Sequence, residues 1–287
     1  MSTQVPVLLR GLIDDAAVFP PGNAPLPDAV RAHADHRRSW YAEMVGPLLV
    51  PASSARSLPS LLDGRPEPLE IGLVGDTGLT ALPATVAGAG AQISVRQIEI
   101  AVAKRGEDPQ PGLEYLLGLF AGWPQISGYA EIPLTFGLLA ALDRLAEARA
   151  GGAAVAAKFR TGGLAAELFP SPIELAAVIC ACRDRNLPFK LTAGLHHAIR
   201  HADPETGFVH HGFLGVLAAT IAAVHDNAEA ADVAELLATT DPVPLVETVR
   251  RQMDEPRPLW VGFGSCSILE PLDDLARLGL LYKEAAA

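Results

Sequence analysis

This sequence lacks most of the features that assign a function directly. Only three of its 287 residues are cysteines, and this odd, small number argues against a disulfide framework. Cys180 and Cys182 are two residues apart in a predicted helix, so they point to different faces and are interpreted as buried apolar residues. No HxH or HExxH spacing is present, and no GxGxxG follows the first predicted strand. The common metal-binding and dinucleotide-binding motifs are therefore absent.

Basic clusters and long apolar runs are missing as well. The net charge is −11 at pH 7 and no cluster of Lys and Arg accompanies it, so we expect no nucleic-acid partner. The longest near-apolar run, residues 212–224, is shorter than the roughly 20 residues that span a bilayer. The N-terminus has no basic start followed by a long apolar stretch, which argues against a signal peptide. We therefore expect a cytoplasmic protein without a membrane partner.

What the sequence does contain is a regular alternation of short apolar strands and longer helical segments. Hydrophobic residues make up 49% of the chain, which is enough for a large core, and aromatic residues only 6%. We predict eight strands, at residues 7–14, 46–51, 70–75, 97–103, 128–133, 154–159, 188–193 and 259–264. Strands separated by helices indicate βαβ units, and eight such units predict an α/β fold, the closed parallel (β/α)8 TIM barrel. An open doubly wound sheet is the alternative.

One connection is about twice as long as the others. The segment 198–258, between the seventh and eighth strands, is predicted to hold a long loop and two or more helices. We interpret residues 1–287 as a single barrel domain that is enlarged in this segment.

The alternation of side chains along the strands predicts charges inside the barrel. Alternate residues of a strand point to the same side, and those that include large apolar residues such as Phe159 are expected to face the helices. Facing inward are then Glu99, Glu131, Lys158 and Lys190. A charge inside a barrel is costly unless it is paired, and neighbouring strands lie about 4.8 Å apart, so these groups are expected to meet. Barrel active sites lie at the C-terminal strand ends, which favours a catalytic role. A structural ion-pair layer is the alternative.

Five segments resemble the deoxyribose-phosphate aldolase family in order and register. They are AKFRTGG (157–163), FKLTAGLHH (189–197) and GFGSCS (262–267), with weaker similarity in LIDDAAVFPPG (12–22) and QIEIAV (97–102). The resemblance implies a class I aldolase barrel in which Lys158 is the Schiff-base lysine, Lys190 lowers its pKa, and Glu99 stands where the family has a catalytic aspartate. It also implies phosphate-cradling turns at Gly162, Gly194, Ser265 and Ser267.

Elementary chemistry favours the same roles for these residues. A lysine attacks a carbonyl only when it is neutral, and a second ammonium nearby, together with desolvation, is expected to depress the pKa of Lys158. Glu99 or Glu131 is expected to shuttle protons. Backbone N–H groups in Gly-rich turns at helix N-termini form an anion site.

The sequence also departs from the family's pattern. The differing residues are Phe159 and Arg160 before Thr161, His196 and His197 after Gly194, and Cys266 between the two serines. We therefore expect a substrate other than deoxyribose phosphate. Arg160 is expected either to bind a carboxylate or phosphate or to pair with Glu131.

Five of the eight histidines lie close together after the seventh strand. They are His196, His197, His201, His210 and His211. They are candidates for substrate binding, acid–base chemistry or a metal site with Asp14 or Asp15, and ordinary loop and cap roles are the alternative. Asp14 and Asp15 end the first strand; one of them is expected to face the barrel mouth, whereas Asp15 can instead cap the following structure.

We therefore predict a class I, Schiff-base lyase of the aldolase type, acting without a cofactor on a small oxygenated carbonyl substrate with an anionic group. The predicted catalytic residues are Lys158, Lys190, Glu99 and Glu131, and the predicted substrate-binding residues are Asp14, Asp15, Arg160, Thr161, Gly162, Gly194, His196, His197, His210, Ser265 and Ser267. A metal-dependent hydrolase or lyase using the histidines with Asp14 or Asp15 is one alternative. A non-catalytic barrel that acts as a binding protein is another. Fold-level analogy predicts a homo-oligomer whose other partner is a small-molecule substrate.

Overall fold

A closed barrel of parallel strands forms the centre of the molecule. The computed structural model describes residues 5–62 and 67–282. The barrel strands are β1 (Ile13–Asp15), β2 (Val45–Pro51), β3 (Leu69–Val74), β4 (Ile93–Ala101), β5 (Ser127–Glu131), β6 (Val155–Arg160), β7 (Phe189–Thr192) and β10 (Trp260–Ser265), and β8 (His201–Ala202) and β9 (Val209–His210) form a separate hairpin. The barrel closes in the order β1-β10-β7-β6-β5-β4-β3-β2. The predicted α/β fold, a (β/α)8 TIM barrel, is confirmed.

Helices connect the strands on the outside of the barrel. They are α1 (Leu26–His36), α2 (Leu82–Ala87), α3 (Gln110–Phe120), α4 (Leu138–Ala150), α5 (Pro172–Asp184), α6 (Phe213–His225), α7 (Ala230–Ala238), α8 (Pro242–Arg250) and α9 (Leu269–Arg277). The start of α5 shows how the local sequence directs them. Ser171 and Glu174 form a capping box, and Pro172 occupies the first turn, where its missing N–H costs nothing. None of the helices in the described part of the chain combines the length and apolarity that a bilayer crossing needs.

The main core lies between the barrel and the helices. Outward-facing strand residues such as Phe159, Phe189 and Leu191 are fully buried there. The rings of Phe159 and Phe189, on adjacent strands, have centroids 6.4 Å apart. The large apolar residues of the strands fill this outer layer. The alternate residues, which face the barrel interior, can therefore be polar and form a site there.

The segment 198–258 contains the β8–β9 hairpin followed by α6, α7 and α8. Helix α6 is apolar on every side, and all of its residues from Phe213 to Ala223 are buried. It packs against α5, α7 and α8, so the long connection adds a second layer of helices outside the barrel. The assignment of the whole chain to one domain stays a prediction.

The first strand is much shorter than predicted. Of the predicted residues 7–14, only Ile13 and Asp14 belong to β1, and Val7–Leu9 form a turn of 3-10 helix. Gly11 has a φ of +56°, which interrupts an extended chain. The carbonyl oxygens of Leu8 and Gly11 accept hydrogen bonds from the guanidinium of Arg257, at 2.6 and 3.3 Å, instead of pairing in the sheet. The apolar pattern of 7–14 therefore reflects burial and not strand structure.

Phe263 provides a direct test of the packing between β10 and the long segment. Its ring stacks on Phe213 of α6 and on Trp260, with centroid distances of 5.6 and 5.7 Å, and it is fully buried. We expect Phe263→Ala to lower the free energy of unfolding by about 3–5 kcal/mol, because it removes apolar contacts and leaves a cavity. Urea unfolding measures the loss. Val243→Ala, at an exposed residue of α8, is the control, and a similar effect of both variants would contradict the assigned packing.

Candidate active site

The barrel interior holds a chain of charged side chains whose signs alternate. In order of contact they are Asp14, Lys190, Glu99, Lys158, Glu131 and Arg160. The side chains of the first four are at most 8% exposed, whereas Glu131 (17%) and Arg160 (42%) reach the barrel mouth. Three carboxylates balance three cations, so the network carries no net charge when all six are ionised. We call these six residues the internal charge network.

Glu99 lies between the two lysines. Its Oε2 is 2.8 Å from Lys158 Nζ and its Oε1 is 2.6 Å from Lys190 Nζ. Lys158 Nζ is also 2.8 Å from Glu131 Oε2, and Lys190 also bonds Asp14. Each ammonium therefore contacts two carboxylates, which compensates the cost of taking it out of water.

Strand register explains why these residues meet. Glu131 on β5 lies opposite Lys158 on β6, and Lys158 lies opposite Lys190 on β7. Glu99 reaches the lysines from β4, and Asp14 reaches Lys190 from β1, across the barrel interior. The structure thus brings together the four residues that the alternation of the sequence assigned to the interior, and adds Asp14 to them.

Two further residues support the network, and neither was among the predicted site residues. The side-chain amide of Gln97 donates to Asp14 Oδ2 (2.5 Å) and to Glu99 Oε1 (2.9 Å), which fixes both carboxylates. The ring of Tyr129 lies 4.8 Å from Lys190 Nζ and adds a cation–π contact. The sequence could have indicated Gln97, because it lies two residues before Glu99 on the same strand and its side chain therefore points to the same side.

The electrostatics of the lysines differ from the prediction. Burial alone would lower the pKa of Lys158, but Glu99 and Glu131 outweigh it and raise that pKa above its ordinary value. The pKa of Lys190 is likewise raised, because Asp14 and Glu99 outweigh burial. The expected lowering of the Lys158 pKa by Lys190 is therefore wrong, since Glu99 stands between the two ammonium groups and screens one from the other.

The carboxyl groups divide into two kinds. Burial would raise the pKa of Glu99, but Lys158 and Lys190 outweigh it and lower the pKa to about 2. The pKa of Glu131 is also lowered, because Lys158 and Arg160 outweigh its burial. In Asp14 burial prevails over the Lys190 contact and raises the pKa. Asp14 is thus the carboxylate of the network that most readily takes up a proton.

Glu99 makes the stability of the fold depend on pH. Its pKa falls from an ordinary 4.5 to about 2 on folding, so its contribution is present above pH 4.5 and is lost as the pH falls through 2. We expect a loss of about 3 kcal/mol in the free energy of unfolding over this range. Urea unfolding across these pH values should show a larger loss in the wild type than in Glu99→Gln, which keeps the smaller contribution of Glu131. An equal pH dependence of both proteins would contradict it.

Asp15 points away from the site. Its Oδ2 lies 3.0 Å from Nδ1 of His33 on α1, and its Oδ1 accepts a hydrogen bond from the backbone N–H of Ala17 at 3.2 Å. Both side chains are buried in the layer between barrel and helices. Of the two aspartates that end β1, Asp14 therefore faces the interior and Asp15 holds α1 and the following turn.

The turns predicted to cradle a phosphate pack against each other. A Cβ on Gly162 would lie 3.0 Å from Cα of Gly194, whose φ is +78°. Thr161 Oγ1 donates to Ala193 O at 2.6 Å and ties the two turns together. The glycines are thus required by close backbone contact, a role that needs no ligand.

The two serines after β10 are engaged by the chain itself. Ser265 Oγ donates to Ser267 O at 2.6 Å, and Ser267 Oγ accepts from the backbone N–H of Glu270 at 3.2 Å. The hydroxyl of Ser267 therefore satisfies the first turn of α9.

The histidines are distributed among several partners. His196 lies 3.2 Å from Glu270 Oε2, His197 lies 3.2 Å from Asp274 Oδ2, and His210 bonds the carbonyl of Gly194 at 3.2 Å. None of these contacts includes Asp14 or Asp15. In residues 5–62 and 67–282, no group of three or more His, Cys, Asp or Glu side chains is arranged to hold a metal ion. The geometry therefore does not favour the metal-dependent alternative.

A cavity of about 490 Å³ opens at the C-terminal ends of β4, β5 and β6. Both Glu131 and Arg160 line it, and Lys158 lies directly behind the carboxylate of Glu131. The cavity and the internal charge network therefore meet at Glu131. This position at the C-terminal face is where barrels of this fold carry their active sites.

Comparison of the sequence with models of known protein families gives no match, and comparison with curated proteins gives no significant match. The resemblance to the aldolase family therefore rests on the five sequence segments alone. Any statement about chemistry has to be argued from the geometry of the barrel interior.

Proposed function

We propose that this barrel is a Schiff-base lyase of the class I aldolase type that acts on a small carbonyl compound carrying an anionic group. Lys158 is the nucleophile, and Glu131 and Glu99 transfer protons to and from its amine. One observation carries the proposal: Lys158 Nζ lies 2.8 Å from a carboxylate that itself lines an open cavity. A buried amine beside a cavity at the C-terminal face is suited to reaction with a carbonyl.

The charge of the reaction intermediate suits the two carboxylates. Glu131 first passes one proton of the Lys158 ammonium to solvent, and the neutral nitrogen then attacks the carbonyl carbon. The C–N bond forms, the carbonyl oxygen leaves as water with a second lysine proton and one proton taken up from solvent, and a protonated Schiff base remains. This iminium carries the same positive charge as the original ammonium. Glu99 and Glu131 therefore stabilise the intermediate without reorganising, which is electrostatic preorganisation.

The same carboxylates impose a pH dependence on Schiff-base formation. Because the pKa of Lys158 lies above its ordinary value of 10.5, the neutral amine is a minor form at neutral pH. We expect the rate of adduct formation to rise about tenfold for each unit of pH from neutral to mildly alkaline conditions. Glu131→Gln removes one of the two carboxylates, so its profile should shift to lower pH. A flat profile in the wild type would contradict the assigned nucleophile.

Borohydride trapping tests the proposal directly. The chain has four lysines, Lys104, Lys158, Lys190 and Lys283, so an adduct can be assigned by peptide mapping after an intact mass. We expect one reduced adduct, on Lys158, with a small ketone or 2-oxo acid. Lys104 is exposed and serves as the internal control, whereas Lys283 lies outside the described residues. No adduct with any test carbonyl, or equal labelling of Lys104 and Lys158, overturns the proposal.

A structural ion-pair layer in a barrel that only binds its ligand is the second candidate. It is favoured by the observation that each member of the internal charge network already contacts a group of opposite charge. Under this candidate, substitutions of Lys158 change stability and leave ligand binding in the cavity intact. The expected homo-oligomer also stays a prediction.

A further inference from the structure

The guanidinium of Arg160 has N–H groups at the cavity that a ligand can use. Its Nε lies 3.1 Å from Glu131 Oε1, and its side chain is 42% exposed. Among the residues that the structure describes, that carboxylate is the hydrogen-bonding partner of its guanidinium. The terminal nitrogens of Arg160 are therefore available for a carboxylate on a ligand, in the paired geometry that a guanidinium favours.

The spacing of the two cations around Glu131 indicates what kind of ligand fits. One oxygen of Glu131 contacts Lys158 Nζ at 2.8 Å and the other contacts Arg160 Nε at 3.1 Å. The amine and the guanidinium are thus separated by the width of one carboxylate. A 2-oxo acid carries its carbonyl carbon next to its carboxylate. When that carboxylate binds Arg160, the carbonyl carbon lies within reach of Lys158.

The lining of the cavity is mixed. Its apolar part includes Ala101, Ala103, Ile132, Leu134, Leu168 and Phe169. Its charged part includes Arg105, Glu167 and Glu174, which are exposed, besides Glu131 and Arg160. The cavity therefore offers apolar contacts to the carbon chain of a 2-oxo acid and charged groups at its rim.

The turns after β6, β7 and β10 are poorly suited to an anion. There the predicted phosphate turns are closed against each other at Gly162 and Gly194. The carboxylates of Glu270 and Asp274 on α9 face the same region through His196 and His197. Like charges repel, so these two carboxylates disfavour a phosphate at these turns.

We propose that the substrate is a 2-oxo acid, that its carboxylate binds the terminal nitrogens of Arg160 beside Glu131, and that its carbonyl carbon thereby reaches Lys158. This inference rests on the proposed Schiff-base function and names its substrate class. It places the anion subsite at the ends of β5 and β6 and not at the turns after β6, β7 and β10.

The test uses the full chain with two matched probes. 2-Oxopentanoate carries the carboxylate and a propyl chain, and 2-pentanone has a methyl group in place of the carboxylate. Ligand-observed NMR measures binding without any reaction, and borohydride trapping measures the adduct on Lys158. We expect 2-oxopentanoate to bind more tightly than 2-pentanone, and Arg160→Gln to weaken its binding by about tenfold or more while 2-pentanone is unaffected. Arg96→Gln is the control, because Arg96 also pairs with a strand glutamate but is 58% exposed away from the cavity.

The outcomes separate this inference from the function on which it rests. Arg160-dependent binding without an adduct supports the carboxylate subsite and overturns the Schiff base. An adduct on Lys158 that forms equally with both probes and in Arg160→Gln supports the Schiff base and overturns the carboxylate subsite. Equal binding of 2-oxopentanoate to Arg160→Gln, Arg96→Gln and the wild type also overturns it. Tighter binding of inorganic phosphate than of 2-oxopentanoate overturns the substrate class.

Discussion

Replacing Lys158 by arginine is expected to abolish enamine formation, with a loss of about 10⁴-fold or more. Arginine keeps a cation between Glu99 and Glu131, which replaces the ion pairs at 2.8 Å, so we expect the variant to fold. A guanidinium stays protonated at every accessible pH and cannot attack a carbonyl. The variant therefore separates the chemistry of the amine from its contribution to stability.

Hydrogen–deuterium exchange at C3 of 2-oxopentanoate or 2-pentanone, followed by NMR in D₂O, measures this effect. Exchange at the carbon next to the carbonyl reports an enamine, which forms only after the Schiff base. Lys104→Arg, at an exposed lysine, is the matched control and should exchange like the wild type. Exchange by Lys158→Arg at a rate close to that of the wild type would show that the internal charge network serves stability alone.

The residues that face the barrel interior could largely be predicted from one property of strands, the alternation of their side chains. Phe159 and the apolar residues on its side of the strand had to face the helices, so Lys158 had to face inward. The same reasoning applied to Glu99, Glu131 and Lys190. The structure places all four in one network. Alternation is local and needs no knowledge of which strands are neighbours, which is why sequence reasoning succeeds here.

The pKa of Lys158 needed information that alternation does not contain. Whether a second ammonium lowers that pKa depends on what lies between the two amines, and the intervening group is Glu99, from a strand two positions away. Two inward lysines on adjacent strands suggest repulsion, but a carboxylate between them reverses the sign. The role of Asp14 was hidden in the same way, because β1 meets Lys190 only across the barrel interior.

The glycines and serines of the five segments show a different limit. Gly162 and Gly194 match the spacing expected of an anion-binding turn, yet each is also required where two backbones approach closely. Sequence alone does not distinguish a glycine that leaves space for a ligand from one that allows a neighbouring turn of the backbone to approach closely. The hydroxyl of Ser267 raises the same ambiguity, since it accepts from the first turn of α9.

Replacing Lys190 by methionine is expected to lower the free energy of unfolding by about 3–5 kcal/mol, which is the cost of leaving buried charges without a partner. Lys190 is 3% exposed and its ammonium serves both Asp14 and Glu99. Without it, Glu99 keeps Lys158, but among the residues that the structure describes Asp14 keeps the amide of Gln97 as its hydrogen-bonding partner. The uncompensated charge therefore falls mainly on Asp14.

Asp14→Asn should recover part of that loss when it is combined with Lys190→Met, because it removes the charge that the first substitution leaves unpaired. Urea unfolding of the wild type, both single variants and the double variant gives the coupling between the two side chains, expected at about 1–3 kcal/mol for residues in direct contact. Lys104→Met, at an exposed lysine, should change stability by less than about 0.5 kcal/mol. Strictly additive losses would mean that Asp14 is held by Gln97 alone. A positive coupling would establish that Lys190 neutralises Asp14.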